Sequence, residues 1–450
     1  MRTNNLTEGK ISKALLTLAL PIMGTAFVQM AYNLTDVFWV GRLGSLATAA
    51  VGTGGFFTWL SMSLTFVSKL GAEVKVAQSV GKKDEQAIKS YVRSGIQLCV
   101  SMGLIYGLLL IFLRQPIVAF FNLRDGQVVA MAEEYIRIVG TGMLFTFMNQ
   151  MFTSLWNGYG SSRAPFAINC IGLSVNMLLD PLLIHGYLGF PKLGVAGAAI
   201  ATVFAQFIVF CVFLMLTRRN PVLFSDLHLL RRFDREKMAE IVRIGFPAGF
   251  QNGLFAFFAM VISRIIADWG AVAVAVQRTG AQIEAISWMT ASGFNTAIGA
   301  FTGQNFGAGR WERIKKGYLI GLGMVSIVGI VSSLLFLFWG GEIFAKFLPE
   351  EEAVRLGTSY LRILGYSQLF MCIEILTSGG FNGFGKTLPP SFVSIFFNAL
   401  RIPLALLLSS TALDLNGVWW SVTLTSICKG ILLTAWFCYL LFLKKDHLSK

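Results

Sequence analysis

Charge is what this sequence has least of. Asp, Glu, Lys and Arg make up 13% of its 450 residues, against about 25% in a soluble domain. A chain so poor in charge cannot cover a water-facing surface, which excludes an ordinary soluble protein. Histidine is nearly absent, with three residues, and the six cysteines (Cys99, Cys170, Cys211, Cys372, Cys428 and Cys438) show no CxxC or other metal-ligand spacing. A membrane enzyme is thereby left without a paired nucleophile and base. The glycine-rich stretches NGYGSSRAP and NGFGKTLPP lack the GxxxxGK[ST] spacing of a phosphate loop and read as tight turns. The first apolar segment has no small-residue cleavage site, so it is expected to remain as the first span.

Apolar material is what the chain has in excess. Hydrophobic residues make up 55% of it and its mean hydropathy is +0.66, so the expected class is an all-α polytopic membrane protein. At about 20 residues per span, the apolar runs predict twelve transmembrane helices. These cover residues 12–40, 47–70, 90–113, 131–156, 163–187, 193–216, 241–267, 272–301, 317–339, 355–381, 389–413 and 418–443. The polar stretch TRRNPVLFSDLHLLRRFDREKMAE reads as an amphipathic linker at the membrane surface. It separates an N-terminal six-helix bundle, 1–216, from a C-terminal one, 241–450, with 217–240 as a cytoplasmic linker.

The net charge of +14 comes from Lys and Arg gathered in the N-terminus and in 69–93, 218–243, 310–316 and 444–450. These are alternate loops, which is the positive-inside pattern and not a nucleic-acid surface. It predicts a multi-pass protein of the cell inner (plasma) membrane with both termini cytoplasmic.

The halves repeat one another. Pro21 and Pro247, Gly44 and Gly270, Gln78 and Gln304, and Gly81 and Gly307 are each 226 apart. YIRIVG from Tyr135 matches YLRILG from Tyr360, and NGYG from Asn157 matches NGFG from Asn382, at 225. A further slip of three residues sets NMLLDP from Asn176 against NALRIP from Asn398. An even number of helices per repeat gives the two pseudo-symmetric bundles one orientation, related by an axis along the membrane normal, with the substrate site expected between them.

An Asp near the centre of a spanning helix costs roughly 2.5–3.5 kcal/mol, so it faces a bundle interior. On the first helix Gln29, Asn33 and Asp36 stand at i, i+4 and i+7 on one face, with Tyr32 beside them. On the fifth, Asn176 and Asp180 stand at i, i+4, and Pro181 frees a backbone carbonyl one turn earlier. Both helices run the same way, and at about 1.5 Å per residue the two acids lie within roughly two turns of one depth. Carboxylates with carboxamide oxygens in a low dielectric either share a proton or hold a small cation. The plainer alternative has Asp36 capping a helix end and Asp180 anchoring the turn before Pro181.

The C-terminal half does not repeat these acids: Asp36 aligns with Ile262 and Asp180 with Ile402. Its own charges are Arg278, Glu284, Glu374, Arg401 and Lys429. Glu284, Arg401 and Lys429 fall near mid-membrane and are expected to pair, for structure or along the substrate route. Gln29, Tyr32, Asn33, Tyr135, Arg278, Glu284, Glu374 and Lys429 are the candidates to line a substrate cavity. Arg264 and Asp268 have the spacing of an ordinary i, i+4 ion pair. The 39 Phe and 16 Met residues suit a cavity for flat apolar cations.

LALPIM, YNLTDVFWVGRLG, NGYG, NMLLDPLLI and GVAGAAIAT resemble the multidrug and toxic compound extrusion (MATE) transporters, most closely the prokaryotic DinF-like subgroup. The resemblance covers nearly the whole chain, and its most diagnostic parts are the acid before VGRLG and the NxxxD of the fifth helix. It implies secondary active export of cationic or amphipathic compounds in exchange for entering H+ or Na+ by alternating access, with membrane lipid as surroundings and no cofactor beyond the coupling ion. It also implies a proton or Na+ site at Asp36, Asn176 and Asp180, with Asn157 and Thr202 as further ligands and Tyr135 as a neighbour. The NorM-type pattern carries an acid on helix seven, whereas 249–267 has none, so coupling is expected in the N-terminal bundle. Two bundles enclosing one cavity need no partner, so a monomer is expected. The rival is a lipid-linked oligosaccharide flippase of a related superfamily, which would need a large cationic cavity.

Overall fold

The computed structural model describes residues 6–123, 125–217, 220–224, 233–444 and 446–449, and no strand occurs among them. Six long helices form the N-terminal half: α1 (Ile11–Gly41), α2 (Ser45–Lys82), α3 (Glu85–Phe112), α4 (Gly126–Gly158), α5 (Arg163–His185) and α6 (Val195–Thr217). Seven form the C-terminal half: α7 (Arg235–Ile266), α8 (Ala271–Gly307), α9 (Trp311–Ala345), α10 (Glu351–Gly365), α11 (Gln368–Gly383), α12 (Leu388–Ser409) and α13 (Leu415–Leu443). With α10 and α11 counted as one interrupted span, these are the twelve transmembrane segments the apolar runs predict.

Among the described residues, nine of the segments are long and apolar enough to cross a membrane by length and composition alone. Of the other three, α10 and α11 are each too short alone, at 15 and 16 residues, and α4 and α8, like α11, carry buried polar residues. Asn149, Ser154 and Asn157 are buried on α4, Ser287, Gln304 and Asn305 on α8, and Gln368, Glu374 and Thr377 on α11. Lipid does not see those groups, so average hydropathy understates the apolarity of the outer faces.

Several boundaries differ from those the sequence predicts. α2 runs on to Lys82, so Glu73 lies inside a helix and not in a loop. Asp84 then starts α3, its side chain accepting from the Ala87 N–H at 2.9 Å. α7 begins at Arg235, so the end of the 217–240 linker is already helical; residues 225–232 of that linker lie outside the described residues. The predicted helix 355–381 is interrupted at Tyr366 and Ser367. The break frees the Leu364 carbonyl, which accepts from Ser367 Oγ at 2.9 Å and from Gln368 Nε2 at 3.3 Å.

The chain divides by contacts into two units, and the division falls inside α1 and α7 instead of in the linker. The first unit is Gly24–Gly249; the second is Phe250–Lys450 with the start of α1 up to Met23. A proline shortly precedes each boundary, Pro21 in α1 and Pro247 in α7. A proline inside a helix removes one backbone hydrogen bond and weakens the helix there.

In the first unit the start of α7 packs on α2 through glycines. A Cβ on Gly71 would strike the Ile241 carbonyl, and one on Gly245 the Val67 carbonyl. Lys75 pairs with Glu240, which also accepts from the Tyr91 hydroxyl at 2.8 Å. Phe147, Phe152, Trp156 and Phe213 fill the core of this unit.

In the second unit the start of α1 takes the matching place, with Ala19 and Met23 against Gly293. The Leu6 carbonyl accepts from Asn305 Nδ2 and Arg313 Nε, both at 3.1 Å. Phe301, Tyr318, Phe381 and Phe437 form this unit's larger core.

The repeat enters α5 and α12 at a separation of 225, ahead of the expected three-residue slip. Their first residues, Arg163 and Leu388, are 225 apart, as are Pro165 and Pro390. Burial fits either register: at 225 Ile168 meets Val393 and Asp180 meets Ala405, and at 222 Ile168 meets Pro390 and Asn176 meets Asn398, all of them buried. Counted at 225, Arg401 stands where the first half has Asn176, and Ala405 where it has Asp180.

The glycine contacts give a prediction. Gly71→Ala is expected to destabilise the protein by about 1–3 kcal/mol, since its Cβ would meet backbone that cannot rotate away. Gly323→Ala, with nothing within 4 Å, is expected to leave stability unchanged or raise it slightly. Thermal unfolding of the two variants in detergent checks the contrast.

Candidate cation and proton site

In the first unit, Asp180 is wholly buried on α5. The i, i+4 spacing brings Asn176 onto its face, and Asn176 Nδ2 donates to Asp180 Oδ1 at 3.4 Å. Asp180 Oδ2 and Asn176 Oδ1 are both buried without a hydrogen-bond partner among the described residues. Burying such oxygens unpaired carries a full desolvation penalty. A proton or a small cation removes it, because either supplies positive charge to the same two oxygens.

Asp36 of α1 is half-buried, and its charge acts on Asp180. The hydroxyls of Tyr32 and Thr202 lie 3.2 Å apart, which brings α6 to the same place. Tyr135 of α4 is buried beside both carboxylates, whose charges act on its hydroxyl. It fits because Gly54 of α2 has no side chain; a Cβ there would overlap the Tyr135 ring. Asp36, Asn176, Asp180, Tyr32, Tyr135 and Thr202 are thus gathered in one region. Neither acid caps a helix end, since α1 runs on to Gly41 and α5 to His185.

Asn157 does not join them. It lies at the end of α4, in the turn leading into α5, where its carbonyl accepts from the Gly160 N–H at 2.9 Å. Asp180 follows more than four helical turns later, roughly 25 Å away at 1.5 Å per residue. Asn157 is therefore too distant to be a ligand at Asp180. Gln29 and Asn33 bond to one another at 3.3 Å in an exposed position.

In the second unit the charges are satisfied differently. Lys429 and Glu374 form a buried ion pair at 3.4 Å. Glu284 accepts from Gln368 Nε2 at 3.0 Å, and Gln368 Oε1 accepts from Ser287 Oγ at 2.6 Å. Arg401 donates to Thr425 Oγ1 at 3.0 Å and Ser426 Oγ at 2.9 Å. The expected pairing thus holds for Lys429, but its partner is Glu374 and not Glu284. Arg278 is exposed. Arg264 and Asp268 form the exposed i, i+4 pair their spacing predicts, at 2.7 Å.

Sequence reasoning missed Gln368, which an uninterrupted helix 355–381 gave no reason to point inward. It also missed Lys69, which donates to Gln150 at 3.0 Å and counts at the end of the predicted helix 47–70 only as one of the basic residues of 69–93. The Tyr135–Gly54 notch had a signal: Gly280 and Tyr360 recur at 226 and 225, and a Cβ on Gly280 would again overlap the ring.

Comparison with known proteins decides the family. Its model, MatE, matches residues 21–182 and 247–407. The chain belongs to the MatE family. The two matched stretches begin 226 apart and end 225 apart. The MatE family consists of transporters, so this is a polytopic membrane transporter and not an enzyme. The chain is 29% identical to the probable multidrug resistance protein NorM of Thermotoga maritima, covering 91% of this chain and 88% of that one. It is 27% identical to the probable multidrug resistance protein YoeA of Bacillus subtilis, covering 93% and 91%. A crystal structure of a MATE P26A mutant superposes with a TM-score of 0.91 at 21% identity, covering 99% of this chain and 100% of that one. This MatE chain therefore has the twelve-helix fold of those structures.

The buried ion pair gives a second prediction. Lys429→Met leaves Glu374 buried and unpaired and is expected to cost about 3–5 kcal/mol. Combining it with Glu374→Leu is expected to recover most of that loss. A double-mutant cycle by thermal unfolding reads the difference.

Proposed function

We propose that the protein is a secondary active multidrug efflux antiporter, exporting cationic or amphipathic compounds in exchange for entering H+ or Na+ by alternating access. The observation that carries this reading is the Asn176–Asp180 pair, buried with unpartnered oxygens and within electrostatic reach of Asp36. Relatives whose names describe multidrug resistance proteins support the substrate class. The same relatives do not favour an oligosaccharide flippase.

Asp36, Asn176 and Asp180 bind the proton or Na+, with Thr202 as a further ligand. Coupling follows from linkage: ion and drug must favour different states of the protein, so binding of one weakens the other. Glu284, Glu374 and Lys429 shape the route of the substrate in the second unit, with Arg278 beside it. The protein acts as a monomer in the plasma membrane, with both termini cytoplasmic as the positive-inside distribution requires.

Two outcomes test this. Cells expressing Asp36→Asn or Asp180→Asn are expected to lose most drug efflux, since neither variant can exchange a charge; undiminished efflux by both would refute the reading. In inverted vesicles, proton and sodium gradients imposed separately are expected to show that at least one drives uptake of a cationic dye. Asp180→Asn is expected to abolish that response.

A further inference from the structure

The two units share a scaffold but fill one place in it differently. In both, a tyrosine is buried in a notch left by a glycine, Tyr135 on Gly54 and Tyr360 on Gly280. In the first unit Tyr135 lies beside two carboxylates, Asp36 and Asp180. The helix face next to them carries Asn176, whose Oδ1 has no partner among the described residues.

In the second unit Tyr360 lies beside one carboxylate and one guanidinium, Glu284 and Arg401. Counted at 225 from the helix starts, Arg401 takes the position of Asn176, and Asn398, one turn before it, keeps a buried Oδ1 without a partner among the described residues. Its Nε and Nη2 donate to Thr425 and Ser426, and the charges of Glu284 and Glu374 both act on it.

We propose that Arg401 is a tethered cation: in the second unit its guanidinium fills the place that an exchangeable proton or metal ion takes in the first. A guanidinium is never deprotonated in a protein, so this charge is permanent. Its fork of donors satisfies two hydroxyls at once, which a bound ion would otherwise do through their oxygens. The second unit therefore holds no coupling ion, and each chain exchanges ions at one site only. Duplication supplied two equivalent pockets, one left open to ions and one closed by a side chain.

This inference rests on reading the Asp36–Asp180 region as an ion site, yet its test needs neither drug nor gradient. Arg401→Ala removes the tethered charge and leaves a pocket facing Glu284 and Glu374. Free guanidinium at millimolar concentration is expected to bind purified Arg401→Ala saturably, one per chain, and to raise its melting temperature. Sodium chloride at equal ionic strength should do neither, wild type should show no such binding, and Arg401→Ala/Glu284→Gln should lose it. Absence of saturable binding to folded Arg401→Ala, or equal binding by wild type, overturns the proposal.

If Arg401→Ala does not fold, Arg401→Lys and Arg401→Gln decide the matter. The lysine, which keeps a charge, is expected to retain a folded protein, and the glutamine to lose it. Equal behaviour of the two overturns the proposal. Guanidinium binding to Arg401→Ala alongside full efflux by Asp36→Asn and Asp180→Asn would refute the coupling role and leave the filled pocket standing.

Discussion

A carboxylate buried without a full set of partners is the constraint on which this structure turns. Asp180 has no exposed surface, one oxygen bonded only to a neighbouring carboxamide and the other bonded to nothing described. Such a group is tolerable in a membrane only if a positive charge reaches it or it takes up a proton. The surroundings follow from that need. Asn176 lies one turn earlier to hold one oxygen, Gly54 is bare so that Tyr135 can approach, and Tyr32 and Thr202 bring α1 and α6 to the same place.

The second unit solves the same burial problem with charges of its own. Lys429 neutralises Glu374, Gln368 holds Glu284, and Arg401 rests on two hydroxyls. Each of these groups finds a protein partner, whereas Asp180 keeps one buried carboxylate oxygen without a partner among the described residues. The contrast explains how one duplicated scaffold carries two kinds of site: the backbone, the glycine notches and the small-residue contacts recur, and the polar side chains between them do not.

The acids themselves were legible in the sequence, because an Asp in an apolar run is costly and an NxxxD spacing fixes one helical face. The duplication was legible too, since Pro, Gly and Gln recur at constant separation. The register of α12 was legible only in part. Pro181 and Pro403 each follow an Asn by five residues, which gives a slip of three, whereas counting from the helix starts sets those prolines about one turn apart. The break at Tyr366 and Ser367 was hidden because apolar periodicity runs straight through it. The division within α1 and α7 left no compositional mark, since it is made by glycines meeting backbone. Asn157 failed as a ligand because a shared motif says nothing about depth in the membrane.

The central claim is that the Asp36–Asp180 region exchanges a proton or Na+ against a cationic substrate. Counting protons and sodium ions released when a cationic dye binds the purified protein tests it most directly. The account predicts a release of H+ or Na+ that saturates with dye and disappears in Asp180→Asn. Dye binding with no release in the wild-type protein, or with the same release in Asp180→Asn, would contradict it.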